Sequence, residues 1–148
     1  MLSTKAKTLQ QQHKDKVIFI GPDIWTKDNE SPFFTESKTL LADWKATLSF
    51  PAGMTVRVGR WNIPGKPIAI LVDFKSLFQY KNELYAKMWE NFKVDSLHAY
   101  GDYDEACAFA YGSALVIESL VKFKKNDGKK IIAHFDEWTT GMGLLYVK

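Results

Sequence analysis

The side chains best suited to chemistry gather near the end of the chain, in Ile131-Ile132-Ala133-His134-Phe135-Asp136-Glu137-Trp138. An apolar run ends there abruptly in ionisable and aromatic residues. The run predicts a buried parallel strand over 130–134, with His134 as its last residue and Asp136 and Glu137 in the turn that follows. In open α/β sheets the ligand crevice lies at the carboxyl ends of the strands, so a histidine and two acids there are in position to act. A carboxylate at that point can accept hydrogen bonds from sugar hydroxyls. Two plainer roles stay open: Asp136 as a helix cap that satisfies orphan N–H groups, and His134 as a packing residue. Gly141 and Gly143 fall inside the helix expected from about Asp136 onward. Each costs about 1 kcal/mol relative to alanine there, which points to close approach of another backbone or a ligand, with packing on the sheet as the simpler account.

Two further groups are candidates. Asp102, Asp104 and Glu105, with Tyr100 and Tyr103, open the longest expected helix. Acids in a first turn stabilise the helix dipole, and they could instead bind acceptor hydroxyls. Arg60-Trp61 sits at a hairpin shoulder, where it could meet an anion or a sugar face or be an ordinary strand surface. The three histidines, His13, His98 and His134, lie on separate elements, and no thiolate cluster is possible with Cys107 alone, so no metal site is expected. No Gly-x-Gly-x-x-Gly follows a strand and no Gly-x-Ser-x-Gly elbow occurs, so neither a dinucleotide cofactor nor an esterase-type nucleophile is expected. Cys107, between Ala106 and Ala108, reads as a small buried hydrophobe.

These residues need a frame. Leu2, Ala6, Leu9 and His13 keep helical spacing at the start of the chain. Residues 16–21 form an apolar strand, 22–37 a long loop with Trp25, Phe33 and Phe34, and 38–48 a short helix. Residues 55–61 and 67–73 are strand-like runs around Asn62-Ile63-Pro64-Gly65, a hairpin signal. Leu77, Leu84, Tyr85, Met88, Trp89 and Phe92 give a helix over 77–92 a broad apolar face. A long helix over 103–124 follows, with Glu118 and Lys122 as an exposed pair and Asn126-Asp127-Gly128 as its stop. The alternation predicts one α/β domain, a three-layer sandwich with a mostly parallel sheet and one antiparallel hairpin. Domains of this class normally open with a strand, and this one opens with a helix and closes on one. Both ends therefore read as cut.

Bulk properties exclude several classes. The 148 residues suffice for one real core. A net charge of +3, with lysines scattered except for the group at 122–130, gives no nucleic-acid footprint. No long uninterrupted apolar segment is expected, hence no membrane span. Met1-Leu2-Ser3-Thr4-Lys5 lacks the apolar core of a secretory signal, and a reducing, cytoplasmic setting fits. Aromatics at 14% suit carbohydrate stacking and core packing equally.

Residues 133–144, Ala-His-Phe-Asp-Glu-Trp-Thr-Thr-Gly-Met-Gly-Leu, resemble the Ala-His-Phe-His-Glu-Trp-x-Ala-Gly-x-Gly-Leu signature of glycogen synthases of the eukaryotic-type branch and its bacterial relatives. Val58-Gly59-Arg60-Trp61-Asn62-Ile63-Pro64-Gly65 is similar to that branch's Gly-Arg-Trp-x-Ile-x-Gly hairpin, and Tyr103-Asp104-Glu105 precedes the long helix as it does there. The resemblance implies a retaining glycosyltransferase of two Rossmann-like domains (GT-B type) around a deep cleft. It would transfer glucose from UDP- or ADP-glucose to the non-reducing end of an α-1,4-glucan. The resemblance puts Glu137 at the family's sugar-contacting acid, flanked by His134 and Trp138. Asp136 stands where the family usually has a second histidine, and Asp104 joins the substrate-binding candidates. Residues 2–6 are similar to the helix after the family's Lys-x-Gly-Gly-Ile-Tyr donor loop, and the chain stops before the Thr-His strand and the nucleotide-binding C-terminal domain. The expectation is a truncated N-terminal domain without a complete catalytic set, inactive alone. Two other outcomes are a non-catalytic glucan-binding module using Glu137, Trp138, Trp25, Phe33 and Phe34, and an inert product that self-associates through exposed sheet edges.

Overall fold

A computed structural model describes residues 2–25, 31–50, 53–93, 101–124, 130–135 and 143. The chain forms two compact units, Met1–Thr47 with Thr55–Asp73 and Leu48–Met54 with Phe74–Lys148.

The first unit is built on a four-stranded sheet. Helix α1 (Leu2–His13) runs through a 3-10 turn into strand β1 (Ile18–Pro22). Strand β2 (Phe34–Glu36), helix α2 (Ala42–Ala46), strand β3 (Thr55–Trp61) and strand β4 (Ile68–Asp73) follow, in the sheet order β1-β4-β3-β2. Strand β4 is central, which is why its sequence is apolar on both faces: Ile68, Ala69, Ile70 and Val72 are all buried. On β3, Val56 and Val58 are buried while Arg57 between them is half-buried, the period of two that a strand imposes. The hairpin turn is type II in its chemistry. The Lys66 N–H donates to the Ile63 carbonyl at 2.9 Å, Pro64 presets the second position, and Gly65 supplies φ +95° at the third. Trp44 of α2 and Ala6 of α1 are fully buried.

The expected sheet was mostly parallel. The described sheet is mixed: β1 pairs parallel with β4, while β4–β3 and β3–β2 are antiparallel. The β4–β3 pair is the expected hairpin; the difference comes from residues 130–134, which form no strand, and from β2, which lies within the stretch expected to be loop and pairs on the free edge of β3. Gly59 explains why it can. A Cβ there would stand 2.1 Å from the Thr35 carbonyl oxygen and 2.8 Å from the Glu36 Cα.

The regular elements described in the second unit are helices. A 3-10 turn (Lys75–Tyr80) leads into α3 (Lys81–Phe92), and α4 spans Gly101–Lys124. Phe74 meets Phe78 and Phe109, each at 5.9 Å between ring centroids. Leu77, Leu84, Tyr85 and Met88 are buried as their spacing predicts. Trp89 and Phe92, expected on the same face, are 53% and 41% exposed, because the inward stripe is narrower than the apolar one. Helix α4 buries Cys107, Ala110, Ala114, Val116 and Leu120, and leaves Glu118 paired with Lys122 at 2.8 Å on its wet side. By length and composition alone Asp104–Lys124 could also cross a membrane, but Glu118 and Lys122 interrupt its apolar run and its inward face is buried as in a core helix.

The largest correction concerns residues 130–135. They form no strand, and Ile131 and Ile132 are 44% and 90% exposed. Strand propensity expresses fit to a neighbouring pleated surface, and an apolar run without a ladder partner has nothing to complete.

Candidate functional site

His134, expected to close a buried strand, lies exposed in that irregular segment. Asp136, Glu137, Trp138 and Gly141 lie outside the described residues. Phe135 is half-buried and Gly143 is buried and helical. A Cβ on Gly143 would come within 2.7 Å of the Phe135 ring and 2.9 Å of the Ala110 carbonyl oxygen. The cost of a glycine within a helix thus finds its reason in close approach to the backbone of α4.

Asp104 is engaged from within its own unit. The Tyr85 hydroxyl of α3 donates to its Oδ1, linking the first turn of α4 to the neighbouring helix. Leu84, Tyr85 and Cys107 form a buried cluster with Tyr111 against it. Burial there pushes the Cys107 thiol from 9.0 up to about 11. Two consequences follow from the shift. The native protein should resist thiol reagents at pH 8 and react fully in denaturant, which a colorimetric thiol assay reads directly. The unfolded thiol ionises near pH 9 and the folded one near 11. Its contribution is therefore complete below about pH 9 and lost as pH rises to about 11, a decline of at most about 3 kcal/mol. Urea unfolding of wild type and Cys107→Ala across that range checks it: only the wild type should show this component.

Among the described residues, no group of three or more His, Cys, Asp or Glu could hold a metal ion. Arg60 donates from Nη1 to the Lys66 carbonyl at 3.0 Å, and Trp61 packs edge-on against Phe19 at 5.6 Å. Both are thus used in holding the hairpin. Asn62 extends the same frame, donating from Nδ2 to Thr35 Oγ1 at 2.8 Å and to the Pro32 carbonyl at 3.2 Å.

The sequence did not single out the pair Asp23 and Arg57. Asp23 follows β1 directly, at the carboxyl end of the parallel β1–β4 pair, and its N–H donates to the Val72 carbonyl at 2.8 Å. Arg57 reaches across β4 and grips Asp23 with a fork, Nε to Oδ2 at 2.8 Å and Nη2 to Oδ1 at 2.9 Å. Its guanidinium carbon lies 5.4 Å from the centroid of the Phe34 ring, and Nη1 is 4.0 Å from Glu36 Oε2. Thirty-four residues separate the two partners, so only the strand order brings them together. The clamp fixes the base of the loop that carries Ile24 and Trp25.

An α/β unit with a clamped loop at the carboxyl end of its parallel strands is the kind of scaffold on which ligand-binding enzymes are built. The chain belongs to the glycogen synthase family, whose family model matches residues 1–148. It is 29% identical over 150 residues to a glycogen [starch] synthase of Neurospora crassa, covering 100% of this chain and 21% of that protein. It is 30% identical over 158 residues to the corresponding protein of Dictyostelium discoideum, covering 100% of this chain and 16% of that one. With the Caenorhabditis elegans protein it shares 28% over 154 residues, 100% and 22% of the two chains. The chain thus spans about a fifth of the length of these relatives.

Proposed function

We propose that this chain supplies part of the N-terminal Rossmann-like domain of a GT-B type retaining glucosyltransferase, acting in the cytoplasm on UDP- or ADP-glucose and an α-1,4-glucan. The observation that carries the reading is the family match across all 148 residues. Glu137, flanked by His134 and Trp138, is assigned to the glucose hydroxyls and to the positive charge that develops at the sugar as the bond to the diphosphate breaks. A fixed carboxylate does this best where water is excluded. Asp136, in the place of a family histidine, accepts hydrogen bonds where an imidazole could donate one. The departing diphosphate needs cationic or N–H groups of its own, and the family's Lys-x-Gly-Gly-Ile-Tyr loop does not occur in this sequence.

The 148-residue polypeptide alone is therefore expected to incorporate no labelled glucose into glycogen from either nucleotide sugar. Robust turnover overturns that statement. The class of reaction is tested by grafting the chain in place of the matching segment of the Neurospora crassa synthase. The chimera should transfer glucose and lose that activity on Glu137→Gln. A folded chimera that binds nucleotide sugar without transfer, or that ignores Glu137→Gln, overturns the reading.

A further inference from the structure

We infer that Trp25 is an α-glucan contact of this chain, held in position by the Asp23–Arg57 clamp and made of none of the residues between His134 and Trp138. The inference rests on the glucan-handling function proposed above, which supplies the ligand class. What it adds is the place of Trp25, at the clamped carboxyl end of β1, and its independence of Glu137.

Three observations carry it. The first is exposure: Ile24 and Trp25 are 62% and 36% exposed, two large apolar side chains immediately beyond β1. Trp44 is fully buried and Trp61 packs on Phe19, while Trp89, more exposed than Trp25, lies on α3 with the Lys93 ammonium 5.6 Å from its ring centroid. Among the described residues, no ring or hydrogen-bond partner engages the Trp25 indole. The second is rigidity at the base. Two residues before Trp25, the Asp23 backbone and both of its carboxylate oxygens are bonded, to Val72 and Arg57. A large aromatic on a fixed backbone presents a flat apolar face and one N–H at little entropic cost. The third is charge. Arg57 is engaged by Asp23 at 2.8 Å and faces Glu36 at 4.0 Å, so the clamp offers no spare cation to an anionic ligand. A neutral ligand with repeated apolar faces and hydroxyl edges fits this chemistry, and a linear α-1,4-glucan is such a ligand. The location agrees, since ligands of open α/β sheets bind beyond the carboxyl ends of parallel strands.

The test is retardation of the 148-residue chain in native gels containing glycogen, with a β-glucan as control. Glycogen should retard the wild type. Trp25→Ala should weaken that interaction about ten-fold, Trp25→Phe should restore part of it, and Glu137→Gln should leave most of it. A second measurement does not depend on variants: maltoheptaose should protect Trp25 from oxidation by N-bromosuccinimide, read by mass spectrometry of its peptide. Absence of retardation, full retardation of a folded Trp25→Ala, or oxidation unaffected by maltoheptaose overturns the inference. In the transferase chimera Trp25→Ala should raise KM for glycogen with kcat unchanged. A chimera that transfers glucose identically with and without Trp25 removes this inference alone. A dead chimera beside Trp25-dependent retardation removes the transferase reading alone.

Discussion

Gly59→Ala should be the most damaging single methyl group in the sheet unit, lowering its unfolding free energy by about 3 kcal/mol or expelling β2 altogether. The added Cβ would lie 2.1 Å from the Thr35 carbonyl oxygen, 2.8 Å from the Glu36 Cα and 2.8 Å from the Phe34 Cζ. Two of these are backbone atoms and cannot rotate away. The β2–β3 register, with Glu36 opposite Gly59, must open or slip. Gly21→Ala is the control, because its Cβ meets only the Leu71 side chain at 3.6 Å, an ordinary contact. That variant should unfold within about 0.5 kcal/mol of wild type. Urea unfolding followed by circular dichroism compares the two, and equal midpoints would remove the steric account. The same contact gives the glycine of the Gly-Arg-Trp hairpin a physical reason. It clears the way for a third strand, and the Asn62 side chain then ties Thr35 and Pro32 to the hairpin's far end.

What could be read from the sequence was what local chemistry determines. Strand β3 falls on residues 55–61 as its alternation predicts, and Pro64-Gly65 forms the expected turn because no other pairing of residues fits it as well. Helices α1 and α4 follow their periodicity to within two residues at each end. Features set by distant neighbours were hidden. Phe34-Thr35-Glu36 has no strand signature of its own, and only the open edge of β3 beside a side-chain-free Gly59 makes it one. Ile131-Ile132 carries every local mark of a buried strand yet stays exposed, since burial requires a partner that composition cannot provide. The His134–Trp138 segment was legible as a family signature, which conveys kinship without geometry. The Asp23–Arg57 clamp was invisible for the opposite reason. Its residues match no motif, and the reach across β4 exists only once the strand order is known.

Arg57→Ala should cost the sheet unit about 2–4 kcal/mol, well beyond what a surface ion pair contributes. The side chains of Arg57 and Asp23 are only 27% and 12% exposed, so removing the guanidinium strands a carboxylate in a partly desolvated place. It also removes the cation lying 5.4 Å from the Phe34 ring centroid. Lysine should not rescue. An ammonium is a point donor and cannot reproduce the two parallel bonds at 2.8 and 2.9 Å. Asp23→Asn in the Arg57→Ala background should recover part of the loss, because the stranded charge is then gone. A double-mutant cycle should return a coupling of at least about 1 kcal/mol that changes little between 0.1 and about 1 M salt, since partly buried pairs are weakly screened. Additive effects, or coupling that vanishes with salt, would mean the clamp is an ordinary surface contact. The loop measurement follows from the same variant. With its base released, Trp25 should oxidise faster and lose its protection by maltoheptaose even at temperatures where the Arg57→Ala sheet remains folded.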